Sequence, residues 1–196
     1  MFGIAIIASV LIARSTYEGY NVTKSPTLLR LFLAFLFISI GFILFLTNSI
    51  INAELFLSSL IMQIIGYFFL AFSYSIQSSG FKHMVPAIAL ISIALSPLFV
   101  IPGDSIEHII RSISFVMIVY GATNAMISYM MNKHINTLIT ANGLALLALG
   151  EFVSWYGFIY PESIFYQISL ALKVGGLVTI LMPIYRITRG VRIGNV

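Results

Sequence analysis

Long apolar runs, each approaching the roughly 20 residues that cross a bilayer as a helix, recur along the whole of this chain and constrain it before any motif does. Hydrophobic residues fill 60% of the 196 positions and charged residues only 8%, with a mean hydropathy of +1.05. A soluble domain of this length needs far more polar surface. The pattern predicts an all-α, polytopic membrane bundle of seven transmembrane helices, at about residues 1–17, 29–48, 55–77, 84–101, 106–131, 135–157 and 164–186. The fourth span is broken by Pro86 and Pro97 and closed by Pro102 and Gly103. A membrane helix tolerates such breaks where its neighbours satisfy the freed carbonyls.

The cations divide by side. The loops after the first, third and fifth spans carry Arg14, Lys24, Arg30, Lys82 and Lys133, and the tail carries Arg186, Arg189 and Arg192. The other three loops carry no lysine or arginine and hold Glu54, Asp104, Glu107 and Glu162. Only Arg111 and Lys173 fall well inside spans. Positive charge collects on the cytoplasmic side, so the split predicts a multi-pass protein of the cell membrane, N-terminus outside and C-terminus in the cytoplasm. An even number of spans would mix the signs. Trp155, Tyr156 and Tyr160 are expected at the outer interface, and Tyr17, Tyr20 and Tyr129 at the inner one. "MFGIAIIASVLIA" has no basic residue before it and no small-residue cleavage site after it, which predicts a retained first span. The net charge of +4 lies in short loops and fits this topology, not nucleic acid. The absence of cysteine excludes disulfides, thiolate metal sites and thiol catalysis.

The chain also matches itself. At a shift of about 109 residues, "YNVTK" (Tyr20–Lys24) lies over "YMMNK" (Tyr129–Lys133), and "SIGF" (Ser39–Phe42) over "ALGE" (Ala148–Glu151). One further residue brings "SLIMQIIG" (Ser59–Gly66) over "SLALKVGG" (Ser169–Gly176). The order of loops and charges agrees as well. This predicts a first three-helix repeat over 1–78, a linking helix over 79–104, a second repeat over 105–187 and a basic tail over 188–196. Two such repeats in an alternating bundle would be parallel copies about an axis along the membrane normal.

The paired octamers locate the candidate site. Tyr166, Ser169, Lys173 and Gly176 share one helical face, and Ser59, Gln63, Gly66 and Ser73 form the matching stripe. A cation at mid-membrane costs about 2.5–3.5 kcal/mol on the insertion scale, so Lys173 is expected to face the bundle interior and to need a partner. Glu151 is the acid clearly within a span, and Arg111 is expected to compete for it. Gly66, Gly176, Ser59 and Ser169 are expected to let helices approach closely. Lys173, Glu151, Gln63 and Arg111 then form either an ion cluster that fixes helix register or a ligand or proton site. A third possibility is that Lys173 contacts a partner subunit or lipid headgroups.

Three resemblances bear on function. "LKVGG" (Leu172–Gly176) resembles the segment around the retinal-binding lysine of microbial rhodopsins, which implies a chromophore on Lys173; that family's carboxylate counter-ion would fall on the third span, where Gln63 stands. "LLRLFLAFLFISIGFILF" and "IIGYFFLAFSYSI" resemble seven-helix sensory modules of microbial receptors. The chain closes on "RITRGVRIGNV", so a sensor of that kind would signal through another chain. The three-plus-one-plus-three plan resembles small transporters of the SWEET type, whose paired prolines are matched here by Pro26 alone.

Catalysis has little to draw on. His83 and His134 are expected in cytoplasmic loops and His108 at an outer helix end, positions that do not suit haem ligation. Asp104 is the sole aspartate, which removes paired-aspartate proteolysis. The expectation is a non-catalytic membrane protein, a subunit or sensory component of a larger membrane complex, without cofactor or metal. Its partners would be the bilayer, other membrane subunits and, for the basic tail, anionic lipid or a cytosolic protein. The alternatives are a small-solute or proton-coupled transporter using Gln63, Glu151 and Lys173, and a retinal photoreceptor.

Overall fold

The computed structural model describes residues 1–51, 55–75, 105–159 and 163–193. The fourth span at 84–101 lies outside the described residues, as do Glu54, Lys82, His83, Asp104, Tyr160 and Glu162. The described chain is helical, without a strand: α1 (Phe2–Thr23), α2 (Pro26–Ile51), α3 (Phe56–Ser75), α4 (Ser105–Asn132), α5 (Ile135–Ile159) and α6 (Ser163–Ile193). All six are long and apolar enough to cross a membrane, the build of a multi-pass membrane protein. Ile7, Leu11, Phe68, Ile109, Leu149 and Met182 point outward and exposed. Such a surface is a liability in water and a match for lipid.

Several helices outrun their hydropathy. α1 carries Arg14 and Glu18 within its length, α2 takes in Arg30, and α6 continues past Arg186 to Ile193. Glu107, expected in a loop, lies in the first turn of α4. Hydropathy marks where lipid ends, whereas backbone hydrogen bonding continues into the polar zone at no loss.

Two turns share one device. Lys24 closes α1 in the left-handed region (φ 53°) and donates its N–H to the Tyr20 carbonyl at 2.7 Å. Lys133 closes α4 in the same way, with φ 56° and a 2.7 Å bond to Tyr129. Each ammonium lies over the ring of that tyrosine, at 5.4 and 5.6 Å. Pro26 then opens α2, where a missing N–H costs nothing.

The helices form a closed ring in chain order, each packing on the next and α6 returning to α1. Consecutive helices within α1–α3 and within α4–α6 are antiparallel. The two remaining contacts are parallel. Phe56 lies 5.8 Å from the Arg111 guanidinium and Ala71 sits beside Gly121, so α3 and α4 run the same way. Phe2 meets Tyr166 at 6.1 Å while Leu11 and Arg14 flank a groove with Val178 and Leu181, so α1 and α6 do too. Ser75 and Ser105 therefore lie at opposite ends of the bundle.

Glycine sets the closest crossings. A methyl on Gly66 would lie 2.8 Å from the Ala34 carbonyl, and one on Gly176 2.7 Å from that of Gly143. Added to Gly41 it would lie 3.0 Å from the Ser59 carbonyl, and to Gly150, 3.1 Å from that of Ser169. Only a residue without a side chain lets the backbones come so near. The burial pattern over 59–70 recurs position by position over 169–180.

Candidate functional site

Lys173 and Glu151 meet across the α5–α6 crossing. Gly150 brings the two backbones together, and the Ser169 hydroxyl donates to its carbonyl at 2.9 Å. That fixes α6 one turn before Lys173, whose Nζ reaches Glu151 Oε1 at 2.7 Å. From α3, Tyr67 Oη donates to the same oxygen at 2.6 Å. Tyr67 is 1% exposed and Glu151 2%. One carboxylate thus accepts from two helices at once, and charge-assisted bonds of this length are the strong kind.

Above this pair, toward the Phe2 end, lies a small cavity of about 30 Å³, room for roughly one water. Its polar lining is Gln63, Arg111, Ser154, Ser169 and Lys173, and its aromatic walls are Phe2, Phe42, Phe45 and Tyr166. The expected residues Gln63, Arg111 and Lys173 are therefore gathered round one space, with Glu151 bound to Lys173. Arg111 pairs with Glu107 of its own helix at 2.7 Å and donates to Ser154. Ser59 is buried and donates to the Phe56 carbonyl at 2.6 Å. Gly66 and Gly176 lie deeper, at the packing contacts already described. Trp155, expected at the outer interface, is buried and donates to His108 Nδ1 at 3.0 Å. Its indole N–H needs a partner once inside, and His108 on α4 supplies one.

A second, larger chamber of about 210 Å³ opens at the Thr23 end. Thr16, Thr23, Thr27, Asn136, Thr137 and Thr140 contribute to its wall together with Leu31, Tyr74, Pro183 and Ile184. Between the two spaces lies a closed apolar layer of Ile12, Ile38, Leu70, Ile118, Leu144, Leu147, Leu177 and Ile180, each at most 1% exposed. From Thr140 to Glu151 it spans about 16 Å along α5.

Comparison with protein-family models, curated proteins and solved structures returned no match.

The site is therefore read from its own chemistry. A retinal on Lys173 does not fit: the ammonium is engaged by Glu151 at 2.7 Å, and the adjoining space is about 30 Å³, against roughly 300–1,000 Å³ for sites that enclose a molecule of that size. Sequence reasoning missed Tyr67, Ser154 and the two chambers. Tyr67 was open to discovery, since it lies four residues beyond Gln63 on the same helical face. The chambers are tertiary and leave no local signature.

Proposed function

We propose that this protein is a small-solute carrier of the cell membrane, oriented with its N-terminus outside and its C-terminus in the cytoplasm. The observation that carries the reading is the arrangement of two spaces, each with polar side chains in its wall, at opposite ends of one bundle and separated by an apolar layer. A carrier needs a site that opens to one side at a time, and rocking of two halves about a closed layer provides it. The architecture is a parallel duplication with seven crossings. The paired Lys24 and Lys133 turns, the Gly66 and Gly176 crossings and the parallel contacts α3–α4 and α6–α1 support it. Opposite placement of Ser75 and Ser105 supports a further crossing between them. Tyr67 of the first half and Glu151 and Lys173 of the second tie the halves together beneath the outer cavity, where loss or gain of a proton would change how they meet.

Counterflow of a panel of labelled solutes in proteoliposomes tests this. Lys173→Met and Glu151→Gln should abolish flux while each variant still elutes as folded protein. Unchanged flux in both would remove these residues from the mechanism, and no flux for any solute would remove the carrier.

A second reading, a subunit or sensory component of a larger complex, is favoured by the cations gathered at the Thr23 end, Arg14, Lys24, Arg30, Lys133 and Arg186 among them. They suit anionic lipid or an acidic cytosolic partner. In that case partners co-purify stoichiometrically in mild detergent and the isolated chain carries no flux.

A further inference from the structure

The chamber at the Thr23 end has a chemistry of its own, independent of the ion pair. Among the described residues no ionisable group other than Tyr74 lines it. Its hydroxyls are also biased. Thr23 Oγ1 donates to the Gly19 carbonyl and Thr140 Oγ1 to the Asn136 carbonyl, both at 2.9 Å. A hydroxyl has one proton and two lone pairs. With the proton given to the helix, the lone pairs remain for whatever enters. The chamber thus offers hydroxyl acceptors and the Asn136 amide along its α1 and α5 walls, set in a lining that is mostly apolar and includes Leu28, Leu31 and Ile184.

A solute matching that wall donates several hydrogen bonds from its edges and presents C–H groups on a face. Charge argues further. Lys24, Arg30 and Lys133 stand at the same end, so a cation is repelled on approach, and an anion that is drawn in finds no cation to receive it among the described lining residues. The space of about 210 Å³ corresponds to about seven waters at ~30 Å³ apiece. We propose that this chamber binds a small neutral polyhydroxylated solute. The proposal deepens the carrier reading and rests on it for passage across the membrane, but not for binding.

The chain's lack of cysteine makes the test direct. Thr140→Cys, or Thr137→Cys on the same wall should the first variant not fold, places a single thiol in the chamber of the full-length protein. Its labelling by a small methanethiosulfonate reagent is followed with and without myo-inositol, with choline and gluconate as charged probes. The expected result is saturable, several-fold slowing by myo-inositol alone. A cysteine at Met131, exposed at the same end, should label at an unchanged rate throughout. Equal labelling with and without myo-inositol, protection by choline or gluconate instead, or a thiol that no reagent reaches would each overturn the proposal. Protection without flux in proteoliposomes would leave the binding site standing and remove the carrier; flux without protection would do the reverse.

Discussion

The hairpins α2–α3 and α5–α6 cross with the same backbone geometry and carry different chemistry. Gly41 meets Ser59 and Gln63 where Gly150 meets Ser169 and Lys173, and Gly66 meets Ala34 where Gly176 meets Gly143. Yet the first hairpin places Phe42 and Gln63 where the second places Glu151 and Lys173. The side opposite Glu151 is completed by Tyr67, and the α6 position with the matching burial pattern is Leu177. Close packing of glycines and small residues thus sets the frame. The ion pair is an addition that the α5–α6 hairpin carries and the α2–α3 hairpin does without.

Several changes would break or sharpen that comparison. Glu151→Phe gives the second hairpin the residue of the first but strands the buried Lys173, and should destabilise by about 3–5 kcal/mol in detergent thermal unfolding. Adding Lys173→Gln and Tyr67→Leu to it makes the two hairpins alike and should restore most of that loss while leaving no flux. A single substitution without effect would mean that Lys173 does not depend on Glu151. Gly66→Val and Gly176→Val should cost about 3 kcal/mol each through overpacking against carbonyls. Unequal values would show that the two crossings are not equivalent. Tyr67→Phe removes one bond to a charged acceptor and should cost about 1.5 kcal/mol, with a fall in flux larger than its loss of folded protein. The smallest effect is expected at the turns. Lys24→Gly and Lys133→Gly relieve a left-handed side chain and should each stabilise by up to about 1 kcal/mol; a loss at either would assign the lysine–tyrosine contact more weight than the backbone.

Much of this frame was legible because lipid reads composition. Apolar runs announce the helices, and the positions of α1–α3 and α4–α6 follow from them. Helix ends were not legible: Arg14, Arg30 and Glu107 look like loop residues and lie on helices, since a polar side chain ends a hydropathy run without ending a helix. Lys173 and Glu151 could be matched because few charges lie deep in spans, so elimination leaves one partner. Arg111 shows the limit of that logic, for it takes Glu107 on its own helix at 2.7 Å. Trp155 was masked by the preference of its ring for the headgroup region; only the fold shows it turned inward toward His108.

Ring closure by two parallel contacts, α3 on α4 and α6 on α1, has an implication for symmetry. A half-length chain would possess both edges, and two identical copies could complete the same circle. Each copy would then repeat every ammonium and every carboxylate, leaving the interior with no net direction across the axis. Six helices on one polypeptide escape that restriction, and a Lys173–Glu151 dipole with no twin on α2–α3 becomes permissible.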